Sequence, residues 1–322
     1  MPQIPSRIQP ALAAPIFALI AVTLFSGNDV LMKFLSGDYA LHQIVLTRSV
    51  MGLALTVLIM APLAGGFHLL RTGRLRLHLA RAACVFFANM MFFLGLSVMP
   101  LAEAVALFFV SPFLITIFSV LFLGEHVGAR RWSAIAIGLL GVGIILRPGA
   151  ASFQVASLLP VAAAFGYAGL HILTRYMRDT ENAVSMTFYI QVMFLVLCSL
   201  LGLLLGGGQF YETGPDGLAF LLRPWVWPET PDLMIMLALG VFASSAGYCI
   251  SQAYRLGEAA LIAPFEYLAL PLSIFFGITV FGEWPDLAAW LGIALILGSG
   301  LYSLWREHQI APEPERDQPM RR

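Results

Sequence analysis

A carboxylate inside a long apolar stretch is the first feature of this sequence that could do chemistry. The stretch from Glu258 to Glu283 is long enough to cross a bilayer as a helix, yet it carries Glu266 between Pro264 and Pro271. A charge in hydrocarbon costs at least a few kcal/mol, so an acid there is a functional candidate. Prolines interrupt the helical hydrogen bonds, which membranes tolerate where the freed groups face protein or a water-filled cavity. The pattern predicts a proton carrier or a counter-charge for a cationic ligand; the alternative is a protonated structural acid.

A histidine in another apolar stretch is the second candidate. His171 lies at a depth comparable to that of Glu266, and Tyr167 precedes His171 by one helical turn on the same face. Tyr267 adjoins Glu266. If His171 faces a cavity, contact between His171 and Glu266 would form a proton-linked pair. A packed or interfacial histidine is the alternative.

Four polar residues form a third group near the ends of the first two apolar stretches, namely Asn28, Asp29, Lys33 and Arg48. Asp29 and Lys33 are four residues apart and share a helical face, so a local ion pair is expected, with Arg48 as a competing partner. This outer charge cluster either fixes the first two helices against each other or serves as an outer gate or substrate contact.

Further polar side chains lie within apolar stretches: Asn89, Ser111, Tyr248 and Gln252. They could bind a polar ligand. They could equally bond neighbouring helices, where such hydrogen bonds contribute about 0.6 kcal/mol on average.

Composition indicates an integral membrane protein. The chain has 322 residues, of which 59% are hydrophobic and 11% charged, with a mean hydropathy of +0.85; soluble domains carry about 25% charged residues. The basic residues sit between apolar spans rather than along one folded face, which argues against nucleic-acid binding. The three cysteines have no pairing or metal-like spacing and are interpreted as packing residues. No cofactor or metal is expected.

With about 20 apolar residues for each span, the sequence predicts an all-α integral membrane protein with ten transmembrane helices. Their predicted ranges are 12–35, 41–64, 79–99, 101–123, 130–147, 153–175, 183–205, 232–255, 258–281 and 286–305. The predicted divisions are an N-terminal segment 1–11, a first five-helix unit 12–147, a second 148–305 with a surface loop 206–231, and a disordered tail 306–322.

The Lys and Arg distribution predicts the orientation. If the N-terminus is cytoplasmic, most of the 18 Lys and Arg residues fall in inner segments. Both termini are therefore expected in the cytoplasm, in a bacterial-type inner membrane.

Short motifs occur twice in the same order. A-E-A (102–104), F-L-G-E (122–125) and L-G-V-G (140–143) in the first half correspond to G-E-A (257–259), V-F-G-E (280–283) and L-G-S-G (297–300) in the second. Five helices are an odd number, so the second half must enter the membrane from the opposite side. The pattern predicts two inverted repeats, an architecture of secondary transporters that bind substrate near the midplane between the halves.

These motifs make the chain resemble the drug/metabolite transporter superfamily, of the EamA-like type with two five-helix repeats. The resemblance also rests on F-S-G-N-D-V-L-M-K (25–33), L-T-R-S (46–49), G-Y-A-G-L-H-I-L-T-R (166–175) and G-Y-C-I-S-Q-A-Y-R-L-G-E-A (247–259), and it covers roughly residues 12–305. It implies a ten-helix carrier whose central cavity is lined mainly by helices 1, 3, 4, 6, 8 and 9. Family members move amino acids, nucleosides, vitamins or other metabolites, often by proton coupling or exchange. The P-F-E-Y sequence (264–267) is similar to a subgroup that carries S-adenosylmethionine-like or riboflavin-like compounds.

The resulting expectation is a secondary active transporter of a small organic metabolite that works by alternating access and is coupled to protons or to exchange. Its expected partners are the cargo, the lipid bilayer and protons; a homodimer is left open. A receptor or scaffold without transport is the alternative. A membrane-embedded enzyme is disfavoured because the six histidines have no ligand spacing.

Overall fold

A computed structural model describes the backbone of residues 10–124, 128–148, 155–177, 180–212, 218–256 and 265–310, and the side chains of these residues except 10–12, 123, 130, 131, 251, 254–256 and 303–310. Glu125, Glu258 and Pro264, which carried parts of the sequence prediction, lie outside the described residues.

The described chain is helical. Its α-helices are α1 Pro10–Leu35, α2 Leu41–Leu55, α3 Ala61–Ala64, α4 Leu75–Leu96, α5 Leu101–Phe108, α6 Ser111–Leu123, α7 Ala129–Leu146, α8 Leu158–Met177, α9 Ala183–Leu205, α10 Ala219–Leu222, α11 Thr230–Leu256, α12 Ala269–Phe281 and α13 Leu287–Ile310. A π-helical turn at Thr56–Met60 joins α2 to α3, and 3₁₀ turns occupy Phe67–Leu70 and Val155–Ser157. Helix α13 extends beyond residue 305, where the disordered tail was predicted to follow, and the rest of the tail lies outside the described residues.

Within the described residues, seven helical segments are long and apolar enough to cross a bilayer, and three shorter apolar helices accompany them. The seven are Ala13–Leu35, Leu41–Ala64, Leu75–Leu96, Leu101–Phe122, Val155–Met177, Ala183–Leu205 and Thr230–Ile250; the shorter ones are Trp132–Leu146, Ala269–Phe281 and Leu287–Tyr302. The predicted all-helical membrane architecture is thus found; seven described segments are full-length spans, and the total of ten transmembrane helices stays a prediction.

The helical backbone breaks at equivalent places in the two halves of the chain. The chain turns at Phe109 and Val110 between α5 and α6, and at Tyr267 and Leu268 before α12. Helices α6 and α12 each have 13 residues. Each is followed by a glycine in the left-handed conformation, Gly124 with φ 68° and Gly282 with φ 67°, a backbone geometry that a residue with a Cβ rarely adopts.

The helices pack in antiparallel pairs. Helix α1 packs on α11, α4 on α8 and α7 on α13. In the last pair the backbones approach closely because Gly141 faces Gly292: a Cβ added to either glycine would lie 2.7 Å from the carbonyl oxygen of the other. A buried apolar core, with residues such as Leu94, Leu107 and Ile296, joins the pairs into one bundle.

The bundle has two ends, each named here by one of its residues. The Lys33 face carries Lys33, Arg147, Glu283 and Asp286, and the His78 face, at the opposite end, carries His78 and Glu181.

The predicted surface loop 206–231 contains α10 and folds back onto the Lys33 face. Gln43 donates a hydrogen bond to the Val226 carbonyl at 2.6 Å, and Arg223 donates one to the Ser36 carbonyl at 2.7 Å. The Trp225 ring packs on His42, whereas Trp227 is 92% exposed. One of the two tryptophans therefore anchors the segment and the other faces the surroundings.

Candidate functional site

The two helix breaks meet in the middle of the bundle. The rings of Phe109 and Tyr267 lie with centroids 5.1 Å apart and planes 35° from parallel. Counting back from Gly124 and Gly282 gives Phe109 and Tyr267 the same position relative to their helix ends. The same register places Glu266 opposite Phe108, so the predicted acid occupies the position where the first half has an aromatic ring. Tyr267 is buried against α13, where its hydroxyl lies close to Gly300.

Helix α8 presents a polar stripe to this junction. Tyr167, His171 and Thr174 follow one another at helical spacing, and the rings of Tyr167 and His171 lie 4.5 Å apart. Phe108 contacts Tyr167 with ring centroids 5.1 Å apart, and Phe92 contacts Phe108 at 5.2 Å. Aromatic faces therefore continue from α4 across α5 to α8.

Glu266 is partly buried immediately before the break at Tyr267. Its carboxylate is near enough to Tyr167 to act electrostatically on the phenol. Tyr167 thus neighbours both Glu266 and His171. Direct contact between Glu266 and His171 stays a prediction.

A partly buried arginine lies at the other end of the stripe. Arg81 of α4 donates from Nε to Thr174 Oγ1 at 2.7 Å and from Nη1 to the Met186 carbonyl at 3.3 Å. Its charge is close enough to act on His171, one turn from Thr174. His171 Nε2 is buried without a hydrogen-bond partner among the described residues.

The outer charge cluster expected from sequence divides into two separate sites. Arg48 is 6% exposed and is held within the helices. It donates hydrogen bonds to Asn89 and, at 3.5 Å, to Asn28. Its guanidinium also lies 5.4 Å from the ring centroid of Phe93 and 5.6 Å from that of Phe194, at distances typical of cation–π contacts. The hydrogen-bond and ring partners of Arg48 are thus uncharged, while Asp29 lies near enough to act on it electrostatically.

Lys33 belongs to the second site, and its partner is not the predicted one. Its Nζ lies 2.5 Å from Glu283 Oε1 and donates to the Met99 carbonyl at 2.7 Å. The local pair expected between Asp29 and Lys33 does not form, because Lys33 turns toward the second half of the chain. Asp29 instead accepts a hydrogen bond from Asn28 at 3.3 Å.

Glu283 also caps a helix. Its Oε2 accepts a hydrogen bond from the Leu101 amide at 2.9 Å, at the start of α5. Amides in the first turn of a helix lack partners within it, so a carboxylate there is favourable. One carboxylate from the second half therefore holds α1 and α5 of the first half.

Two further contacts join the halves on the Lys33 face. Arg147 forms a hydrogen-bonded ion pair with Asp286, which lowers the pKa of Asp286 and raises that of Arg147. A hydrogen bond from the Ala289 amide lowers the pKa of Asp286 further. The Tyr39 hydroxyl donates to Asp232 at 2.6 Å, which raises the pKa of Tyr39.

The His78 face has a smaller polar group. Thr72 donates to Glu181 at 2.7 Å, and His78 Nε2 lies 3.0 Å from the other carboxylate oxygen. Burial raises the pKa of Glu181, but these contacts outweigh burial, so its pKa is lower than usual.

The remaining sequence candidates are dispersed. The oxygen of Asn89 is engaged by Arg48. Ser111 is buried in the first turn of α6. On α11, Gln252 donates to the Tyr248 hydroxyl at 2.9 Å, so these two partner each other. Tyr167, His171, Glu266 and Tyr267 are the predicted residues that the structure brings together at the junction.

Comparison with known proteins identifies the class of molecule to which this geometry belongs. The sequence pattern of the EamA-like transporter family matches residues 12–147 and again 154–305. The chain belongs to the EamA-like transporter family. It is therefore a multi-pass membrane transporter of small metabolites, within the drug/metabolite transporter superfamily, and not an enzyme.

Relatives of this EamA-like transporter carry different cargoes. It is similar to a riboflavin transporter of Brucella anthropi, with 32% identity over 74% of this chain and 79% of the relative. It is also similar to an S-adenosylmethionine uptake transporter of Rickettsia conorii (25% identity; 90% and 91%) and to the pseudopaline exporter CntI of Pseudomonas aeruginosa (25%; 88% and 92%). A protein of known crystal structure shares the fold with a TM-score of 0.65 at 20% identity, over 93% of this chain and 99% of the other.

Two residues of this EamA-like transporter were missed as site candidates. Arg81 lay inside the third predicted helix, 79–99, but it was counted only as a basic residue of the inner side and was not considered as a site residue; in the structure α4 begins at Leu75 and includes Arg81. Glu283 was recognised only as a repeat motif. Neither the contacts of Arg81 nor the partner of Glu283 had a sequence signal.

Proposed function

We propose that this protein is a secondary active transporter that moves a metabolite with a planar ring through the junction of Phe109, Tyr167 and Tyr267. The observation that carries the proposal is the meeting of the two helix breaks at the Phe109–Tyr267 contact, beside Glu266 and His171. Aromatic faces stack on planar rings, and two of the similar proteins are named for riboflavin and S-adenosylmethionine.

The transport mechanism we propose is alternating access between two inverted five-helix repeats, 12–147 and 148–305. The packing supports it. If each helix corresponds to the one five spans later, the pair α1–α11 exchanges with the pair α8–α4, and the pair α7–α13 maps onto itself. The antiparallel contact of α7 with α13 fits an inverted relation: Gly138, early in α7, approaches Ser299, and Ile145, late in α7, approaches Gly292.

We further propose an inner-membrane location with the Lys33 face outside and both termini in the cytoplasm, as the positive-inside rule favours. In this orientation the Lys33–Glu283 and Arg147–Asp286 pairs form an outer gate. Each pair joins one repeat to the other, so the repeats cannot separate at this end until both pairs break.

Flux measurements test the proposal. The purified protein is reconstituted in liposomes, and uptake of riboflavin, S-adenosylmethionine, adenosine and tryptophan is measured with and without a pH gradient. Saturable flux of at least one ring compound is expected. Binding without flux for every compound would favour a receptor and contradict the proposal.

Glu266→Gln tests the coupling. Because Glu266 lies at the junction beside Tyr167, the neutral variant should still fold and bind but lose the pH dependence of flux. Glu229→Gln, an exposed acid on the 223–229 segment, is the matched control and should behave as wild type. An unchanged pH profile in Glu266→Gln would remove Glu266 from the coupling mechanism.

A further inference from the structure

We propose that Arg81 and His171 form a subsite for an anionic group, a carboxylate or a phosphate, carried by the cargo. The inference rests on the proposed transport function and narrows its substrate class from planar-ring compounds to planar-ring compounds with a negative charge.

The first argument concerns the partners of Arg81. Its two described hydrogen bonds go to neutral oxygens, Thr174 Oγ1 and the Met186 carbonyl. The described residues place no carboxylate at ion-pair distance from it, and its Nη2 has no hydrogen bond within them. Intramembrane charges normally pair with one another or line a substrate path. Arg81 therefore has an unused donor edge and an uncompensated charge.

Arg48 shows how this protein encloses a guanidinium with uncharged partners, and Arg81 is not enclosed in that way. Arg48 is 6% exposed, with amide oxygens bonded to both terminal nitrogens and two aromatic rings within cation–π distance of its guanidinium. Arg81 lacks such an enclosure and is partly accessible. The guanidinium of Arg48 is thus fully enclosed by its partners, whereas that of Arg81 is not.

The second argument is the unpartnered imidazole nitrogen of His171. Thr174, which accepts a hydrogen bond from Arg81, and His171 lie one turn apart on the same side of α8, so Arg81 and the unpartnered nitrogen of His171 belong to neighbouring turns of that helix. A neutral imidazole with its proton on Nε2, or an imidazolium, would donate to an anion placed between them. A carboxylate or phosphate accepts from guanidinium and imidazole together, and such charge-assisted bonds are the strong ones.

The third argument is continuity with the aromatic junction. Tyr167 contacts His171 on one side and Phe108 on the other. A ring bound among these aromatic side chains would place a short anionic substituent toward Arg81. Glu266 acts electrostatically on Tyr167, the end of the stripe that is farther along α8 from Thr174 and its partner Arg81.

The test compares compounds in matched charged and neutral forms. Riboflavin is paired with flavin mononucleotide, adenosine with adenosine monophosphate, and indole-3-acetamide with indole-3-acetate. Binding to wild-type protein in phosphatidylcholine nanodiscs is measured by thermal shift and by calorimetric titration. For at least one pair, the anionic member should bind about tenfold more tightly, as a charge-assisted hydrogen bond provides. The phosphate and carboxylate pairs distinguish the two anions.

Variants test which residues cause the tighter binding of the anionic compounds. Arg81→Gln should abolish the preference while neutral members bind as before, and Arg81→Lys should keep part of it. His171→Phe should reduce it. Arg76→Gln, an exposed arginine on the same helix, is the matched control. If Arg81→Gln does not fold, the lysine and histidine variants carry the test.

Three outcomes would overturn the subsite. Neutral members could bind as tightly as anionic ones in every pair, Arg81→Gln could retain the full preference, or no anionic compound could bind. A lipid source is distinguished by adding phosphatidylglycerol to the nanodiscs: competition that removes the preference assigns the site to a lipid headgroup and overturns it as a cargo site. Flux of neutral ring compounds in the liposome assay would leave the transport function standing in each event, whereas absence of all flux would refute that function separately.

Discussion

Lys33 and Arg48 lie near the same end of the bundle, yet the protein compensates their charges in different ways. Lys33 pairs with a carboxylate from the other half of the chain and is within reach of solvent, with 10% of its side chain exposed. Arg48 is enclosed by two asparagines and two phenylalanines. A charge pair can separate into water when the halves move apart, because water resolvates both ions. A caged guanidinium cannot leave without exposing buried amides. The difference indicates that Lys33 belongs to a moving contact and Arg48 to a fixed one.

The largest effect on flux is expected when the contact between Lys33 and Glu283 is prevented from opening. A double variant Lys33→Cys, Glu283→Cys, joined by a short thiol-specific cross-linker, should abolish flux because α1 can no longer separate from the end of α12. All variants carry Cys84→Ala, because Cys84 is partly accessible whereas Cys198 and Cys249 are buried. In this background each single cysteine variant and the cross-linker-treated parent should retain flux. Full flux in the cross-linked protein would show that the contact is static, like that of Arg48.

Removal of the Arg48 cage should act on stability instead. Arg48→Met leaves the oxygens of Asn28 and Asn89 without their donor, which should cost about 3 kcal/mol, because each buried polar group left unpaired costs about 1–3 kcal/mol. The melting temperature in detergent should fall, with little change in substrate affinity among molecules that remain folded.

A double variant distinguishes a structural role of Arg48 from a role in binding the cargo. Adding Asn89→Leu to Arg48→Met removes one of the stranded oxygens and should restore part of the lost stability, as a double-mutant cycle would reveal. Normal stability together with a large loss of affinity would instead assign Arg48 to the cargo and place it with the moving residues.

Local pattern predicted the helical class, the repeat motifs and the residues of the junction. Apolar runs and end motifs such as V-F-G-E depend on neighbours in sequence, so they could be recognised from the sequence itself. The partner of Lys33 could not. Helical spacing offered Asp29 four residues away, whereas the actual partner, Glu283, is brought there by the packing of α12 and α13 against α1 and α5.

In the candidate site, too, local spacing could be read from the sequence, whereas contacts between distant segments could not. Tyr167 and His171 share a face by their spacing, and the structure brings their rings into contact. The pairing of Phe109 with Tyr267 required knowledge of where each helix breaks. Arg81 was counted only for the orientation, because its partners Thr174 and Met186 lie on other helices and no local pattern pairs them with it.

The smallest effect is expected for Arg147 and Asp286, a charge pair that is more exposed to solvent than Lys33 and Glu283. Arg147 and Asp286 have side chains 32% and 53% exposed, so Arg147→Gln should cost under about 1 kcal/mol. The pKa of Asp286 is lowered in the folded state, so the stabilisation is present above the ordinary pKa of about 3.9 and disappears as pH falls through the lower folded value. The pKa of Arg147 is raised by the same pair, so its contribution is fully present at acidic and neutral pH and is lost only at strongly alkaline pH. Melting temperatures of wild type and Arg147→Gln should therefore differ slightly at pH 7 and converge as the pH falls below the lowered pKa of Asp286, where its carboxylate is protonated. A difference that persists at low pH would mean that Arg147 stabilises this end through packing, as a fixed residue, and not through a charge pair that opens.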